Sequence, residues 1–573
     1  MKKLFALLLA VIMVMSLMAA CGPVENNEST GSTGSTGSSQ GSTDSTGSTG
    51  GNKEFSYPMD TDVTLTEWRT QNTNITNHYG DAGNFDALPL AGWLEEATGV
   101  KVEYRDDYTD EGIDLENMWN SKKYADIIGL DWNNKYVGGA TAALEDEVII
   151  PLNDVIDQYM PNFKAWMEAN PSLAKECMTD DGTIYMIPNV TAMSNSVTFP
   201  TYYRADILAD MGETEPTSIE GWYELLKKVK AQYPDMVPCG IYLDGLFNYS
   251  ALAHAYDIGH AAAQNGFAVD ADGKIYYQYA QDSAKEFVKE MAKWKKEGLL
   301  SDDWAVKTSP EFNKDMINGK VFMSAGFITG SMQAVQVGGR ALDPDFQLKH
   351  LNTPSVNGVA PTHTYANARI TGIGCAITSA CKDVEVAARV LDYRWSEEGK
   401  MLVNFGKEGI SYDMVDGKAV FKTELKDATA EGFPAHKESI PENDAKPWTT
   451  SESLARFSMG VWPFGMDMAE DYFPQLSVEK CCADYLAESA ASVGNKCWDN
   501  QIPMLAYTSD EGTIVTMAVT DMRTVWNQYY IDCINGAKDI DETWTAFQDE
   551  LKEAGLVSAT YAMQQAYERW AER

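Results

Sequence analysis

Leu90-Ala91-Gly92-Trp93-Leu94-Glu95-Glu96-Ala97-Thr98-Gly99-Val100-Lys101-Val102-Glu103-Tyr104 changes its hydrophobic period at a single glycine. Before Gly99, the residues Leu90, Trp93, Leu94 and Ala97 recur at helical spacing, which predicts a helix over Phe85 to Thr98. After it, Val100 to Tyr104 alternates as a strand does. Val63 to Trp68 alternates in the same way upstream, so the three segments form a βαβ opening.

The alternation of strands and helices continues outward from there. Ala125-Asp126-Ile127-Ile128-Gly129-Leu130 reads as a buried strand, and Leu152, Val155, Ile156 and Tyr159 as the stripe of a helix. Asp181-Gly182 turns into Thr183-Ile184-Tyr185-Met186-Ile187-Pro188. Thr217 to Glu220 is a capping box for a helix that places Trp222, Leu225, Leu226 and Val229 on one face. Asp272-Gly273-Lys274 turns into a strand at Ile275 to Tyr279, followed by a helix over Ala284 to Glu297. The pattern predicts an α/β protein with largely parallel sheet, and roughly 515 residues suffice for two or more domains.

The first residues have a different character. Lys2 and Lys3 precede an apolar run from Leu4 to Val14, too short for a bilayer span of about 20 residues. Leu17-Met18-Ala19-Ala20-Cys21 resembles a lipobox, so residues 1–20 are expected to be a lipoprotein signal peptide and Cys21 the lipidated residue. Glu28 to Gly51 is almost wholly Ser, Thr and Gly, which cannot bury enough apolar surface to offset its chain entropy; residues 21–57 therefore read as a flexible tether.

A formal net charge of −39 argues against nucleic-acid binding, which needs clustered Lys and Arg, and favours a neutral ligand. Beyond Cys21 there are eight cysteines and no C-x-x-C pair, so most read as small buried apolar residues. If any bridge forms, Cys481 or Cys482 with Cys497 is the one expected. Of six histidines, His254 and His260 lack a third ligand nearby, and no metal or cofactor site is expected. There is no G-x-S-x-G elbow in the folded part, no H-E-x-x-H and no phosphate loop before a helix. A glycosidase would need a carboxylate pair about 5 to 10 Å apart, but with 84 acidic residues such pairs identify nothing. No enzyme activity is expected.

The order of segments resembles the extracellular solute-binding proteins of carbohydrate ABC importers, the large family that includes maltose-binding protein, and within it the long lipoprotein subgroup. Trp93 to Val102, Ala125-Asp126-Ile127-Ile128, Tyr159-Met160-Pro161-Asn162-Phe163, Asp181 to Pro188 and Arg204-Ala205-Asp206-Ile207-Leu208 carry the likeness. It continues through Glu297-Gly298-Leu299-Leu300, Asn318-Gly319-Lys320-Val321 and Asn404 to Tyr412, and ends at Gln564 to Trp570. The resemblance implies two α/β lobes with a ligand cleft between them: residues 58–190 and 322–371 in the N-terminal lobe, 191–321 and 372–573 in the C-terminal lobe. It also implies a monomer, anchored outside the cell membrane, that hands a sugar to ABC permease subunits. Where some long members carry a calcium loop, Ala231-Gln232-Tyr233-Pro234-Asp235-Met236 runs straight on, so no structural calcium is expected.

Ligands of open α/β sheets bind beyond the carboxyl ends of strands. That rule selects Trp68 and Arg69, then Asp131, Trp132 and Asn133, then Tyr202, Tyr203 and Arg204, and after the later strands Phe327 and Thr329. Asn248, Tyr249, Trp462 and Phe464 are further candidates. An aromatic ring beside a carboxylate or amide suits a pyranose, which offers a C–H face to stack and hydroxyls to pair. Since 15 Trp and 28 Tyr cannot all line one cleft, core packing competes for every one of them. Two other readings stay open: a peptide or other polar solute in the same cleft, or a surface glycan-binding or hydrolytic protein.

Overall fold

The computed structural model describes residues 55–71, 85–106, 110–192, 197–259, 265–361, 368–426, 454–459, 464–476, 479–493 and 501–573. The proposed signal, Cys21 and the tether lie outside them. Among the described residues, no helix is long and apolar enough to cross a membrane.

The βαβ opening forms as its period demands. β1 (Thr64–Arg69) is followed by the helix Pro89–Thr98 and β2 (Lys101–Arg105), which lies parallel to β1. Gly99 closes the helix at φ 73°, donating its N–H to Glu95 O at 2.8 Å. A side chain there would collide with the backbone of Met59, so the turn requires glycine. β3 (Ile127–Asp131) and β4 (Ile187–Val190) complete the first run of strands.

The chain then enters a second sheet at β5 (Thr201–Arg204), followed by β6 (Val237–Cys239). β7 (Phe267–Val269) and β8 (Ile275–Tyr277) form a hairpin; its turn is Asp270-Ala271-Asp272-Gly273, where the Asp270 carboxylate accepts from Lys274 N at 2.9 Å. β9 (Val321–Ala325) and β10 (Leu348–His350) come next, giving the order β10-β5-β9-β6. Only then does the chain return, as β11 (Ile370–Ile377), to the first sheet, whose order is β2-β1-β3-β11-β4. β12 (Tyr412–Val415) and β13 (Lys418–Phe421) form a second hairpin.

This topology corrects two lobe boundaries. β9 pairs with β5 and β6, so residues 322–350 belong to the second lobe rather than the first. β11 pairs with β3 and β4, and the helix Val384–Tyr393 beyond it packs into the first core, so residues 372–405 belong to the first lobe. Phe405, Tyr412, Phe421, Tyr472 and Tyr485 share a third core with Phe312 and Val335 of the second lobe, whereas Met459, Phe464 and Met466 join the first core, and the C-terminal helices Ser509–Ile534, Ile540–Glu553 and Leu556–Glu572 pack on the second-lobe core around Phe247 and Trp304.

The capping box at Thr217 is replaced by a single cap: Ser218 accepts from Gly221 N at 3.1 Å to start the helix Ile219–Gln232. That helix runs through a short connection directly into β6. Cys177, Cys239, Cys375, Cys381, Cys481, Cys482 and Cys533 are buried and free, and Cys497 lies outside the described residues.

Candidate functional site

At the carboxyl ends of the first sheet, most of the expected cleft side chains turn into the core. Trp68 is buried and donates its indole N–H to Asp114 Oδ2 at 2.7 Å. Arg69 is buried between the rings of Phe85 and Phe464, 4.0 Å from each, with Asp106 at 3.5 Å. Phe464 is itself buried, as one slice of that sandwich. Trp132 is 0% exposed; it packs beside Trp119 and Tyr136 and donates to Gly374 O at 3.3 Å. None of the four side chains offers a free face to a sugar. Beneath them, Glu67 and Arg394 form a buried ion pair at 2.6 Å, and Arg394 also donates to Phe464 O at 2.7 Å.

Two polar residues of this group do stay at the surface. Asp131 is half-buried at the end of β3, where it caps the next helical turn and accepts from Asn134 Nδ2 at 2.9 Å; burial raises its carboxyl above the usual range. Facing it, β11 bulges at Gly372 (φ 85°), where a Cβ would stand 3.0 Å from Asp131 Oδ1. Asn133 is half-buried and donates weakly to Tyr185 Oη at 3.4 Å and to Leu505 O at 3.5 Å.

In the second lobe, β5 disappoints the sequence reading for a topological reason. It is an interior strand, and all four of its residues are buried. Tyr202 donates to Asn313 Oδ1 at 3.0 Å, Tyr203 packs edge-on against Trp222, and Arg204 pairs with Asp206 over the ring of Phe346.

The surface aromatics lie just beyond these strand ends. Phe199, two residues ahead of β5, stacks on Tyr249 with centroids 4.2 Å apart and planes at 15°. Phe327, two residues past β9, stands edge-on to Phe199 at 5.3 Å and to Phe473 at 6.2 Å, and is 36% exposed. β5 and β9 are antiparallel with Thr201 opposite Ala325, which brings the two rings to one end of the sheet. Thr329 is half-buried in the adjoining turn. Beside the rings, a recess of about 290 Å³ is lined by Phe199, Tyr249, Thr201, Leu351, Asn352 and Tyr485, where the segments leading into β5 and out of β10 meet the second lobe. The sequence reading names Tyr249, Phe327 and Thr329 but misses Phe199. Its signal was the aromatic-proline pair Phe199-Pro200 in the crossing segment, since proline enforces an extended lead-in to the strand. Trp462 lies outside the described residues.

The C-terminal segment ties the lobes together. Arg569 donates to Glu511 Oε1 at 2.9 Å and to Asp180 of the first lobe, while Arg573 reaches Thr179 O at 2.8 Å. Glu176 of the first lobe accepts from Met504 N at 2.8 Å, and Thr141 donates to Tyr507 O at 2.8 Å. Burial pushes the Glu176 carboxyl up to about 7, against the opposing pull of the Met504 N–H and the Arg369 charge.

Two sheets of these orders, joined by repeated crossings of the chain, and a surface aromatic group at the mouth of one sheet define a two-lobed solute-binding fold. The comparisons agree. An HMO-binding, ABC-transporter-associated solute-binding protein from Bifidobacterium longum infantis superposes with a TM-score of 0.69 at 18% identity, over 88% of this chain and 99% of that one. In sequence, the chain is 25% identical over 349 residues to the fructooligosaccharide ABC transporter substrate-binding protein FusA of Streptococcus pneumoniae, covering 55% of this chain and 59% of FusA. It is 24% identical over 328 residues to lipoprotein LipO of Bacillus subtilis, covering 53% of this chain and 58% of LipO. The chain thus matches somewhat under three fifths of the length of each of these relatives. A family described as a domain of unknown function (DUF3502) matches residues 503–572, the segment that ties the lobes. The chain is thus similar in sequence to one relative named as an ABC transporter substrate-binding protein and to one named as a lipoprotein, and it shares the fold of solute-binding proteins.

Proposed function

We propose that the protein is an extracellular substrate-binding protein of an ABC importer that captures an oligosaccharide between its lobes and delivers it to the permease. The observation that carries this reading is the Phe199, Tyr249 and Phe327 group: rings held edge-on and in a stack, at a surface, beside amides and hydroxyls, match the C–H faces and hydroxyls of a sugar chain. FusA, named for fructooligosaccharide, supports the substrate class.

Tyr249, Phe327, Thr329 and Asn248 would contact the ligand from the second lobe, and Asp131 and Asn133 from the first. Closure then results from ligand touching both lobes, which favours the closed state by its differential affinity. The net charge of −39 supports a neutral ligand. The protein acts as a monomer held to the membrane by a lipid on Cys21. About 30 tether residues would give a reach on the order of 30 Å.

Calorimetry of the mature protein against a glycan panel, with chromatography of the products, tests the reading. Micromolar binding without turnover is expected; hydrolysis of any glycan, or binding of peptides alone, contradicts it.

A further inference from the structure

A second recess, of about 470 Å³, opens on the other side of the helical turn Gly245–Tyr249. Its polar lining is Asn248, Asn265, Thr520, Arg523, Thr524 and Asn527. The floor is the stacked pair Tyr279 and Trp526, whose centroids lie 4.2 Å apart and which are both buried.

Three features limit what fits there. Arg523 is paired with Asp244 at 2.9 Å, so the rim carries no net charge to hold an anion or a cation, yet the guanidinium side chain remains 59% exposed with donors to spare. Asn248, Asn265 and Asn527 add side-chain amides, which both donate and accept, to the lining. Both floor rings are buried, so the recess provides hydrogen-bonding edges rather than a ring face. An uncharged group rich in hydroxyls satisfies all three, and the volume falls within the range of small-molecule sites, about 300 to 1,000 Å³.

The recess adjoins the aromatic group through consecutive residues, Asn248 lining one and Tyr249 the other. Resting on the oligosaccharide reading above, we propose that the Arg523 recess is an extension subsite that holds an uncharged terminal sugar unit by its hydroxyls, so that the protein selects chain length: stacking on Tyr249 and Phe327 gives the shared affinity, and the recess adds affinity only for chains long enough to pass Tyr249.

The test is calorimetry of the mature chain with neutral β-fructan, α-glucan, β-mannan and β-xylan ladders, each from disaccharide to pentasaccharide. At least one ladder is expected to tighten by about tenfold or more as the chain reaches the recess, the size of one good hydrogen-bond set to a charged group. Arg523→Met and Asn527→Leu, made separately, should erase that gain while leaving the Kd of the shortest bound sugar within about twofold and the thermal midpoint unchanged. A ladder that binds with the same length gain in both variants overturns the subsite and leaves the oligosaccharide reading standing. Failure of every ladder to bind the wild-type protein overturns both.

Discussion

The two lobes place aromatic residues at equivalent strand ends and use them oppositely. In the first lobe, Trp68, Trp132 and Phe464 are sealed into the core, and the last two brace Arg69 or the β11 backbone. In the second, Phe199, Tyr249 and Phe327 stand at the surface, packed on one another. The difference lies in the residues immediately past each strand. After β3, a helical turn begins at once and folds Trp132 back under β11. After β9, Gly326 and a wide helical turn from Ile328 leave Phe327 outside. A strand end positions a residue along the sheet; the next few residues decide which way it points.

The largest effect expected from this contrast is at Trp132. Trp132→Ala should cost about 3–5 kcal/mol of stability by urea denaturation, as for a large buried aromatic, while the folded variant keeps wild-type glycan affinity; weakened binding at unchanged stability would place the ring in the site. Close behind comes the buried pair under Arg69. Glu67→Ala leaves the Arg394 charge uncompensated and should cost about 3–5 kcal/mol, again in stability and not in binding. Phe327→Ala inverts the pattern: the exposed ring should leave stability within about 1 kcal/mol and cost about tenfold or more in affinity.

A smaller effect lies at the tie between the lobes. Because the Glu176 carboxyl is raised to about 7 from the usual 4.5, the native state keeps a proton that the unfolded chain has released between those values. Its favourable contribution is therefore complete below pH 4.5 and is lost as pH rises through 7. Glu176→Gln should raise the thermal midpoint above wild type at about pH 8 and leave it unchanged at about pH 4; a scan of melting against pH checks the sign. The smallest effect is at Arg569. Arg569→Ala should leave the fold intact but speed hydrogen exchange at residues 178–184 and 503–511, which the guanidinium holds together.

Much of this was legible in the sequence where one period decided the matter. The glycine stop at Gly99, the βαβ opening and the Asp272-Gly273 turn ahead of Ile275 each rest on local chemistry, and each formed. The lobe boundaries did not, because Val321–Ala325 is an apolar strand in either sheet and only its partners, β5 and β6, assign it. The site was legible in the same measure. Tyr202 and Tyr203 point to opposite faces of β5, and no alternation rule predicts that both faces are covered. Phe199 was missed because it precedes a strand, while the carboxyl-end rule looks only past one.

The central claim, that sugar rests on the second-lobe aromatics, is tested most directly by calorimetric titration of wild type and a Phe199→Ala, Phe327→Ala double variant with the glycan that binds wild type. Micromolar binding by wild type and its loss in a variant of unchanged thermal midpoint is the result expected. Wild-type affinity in the double variant would contradict the claim.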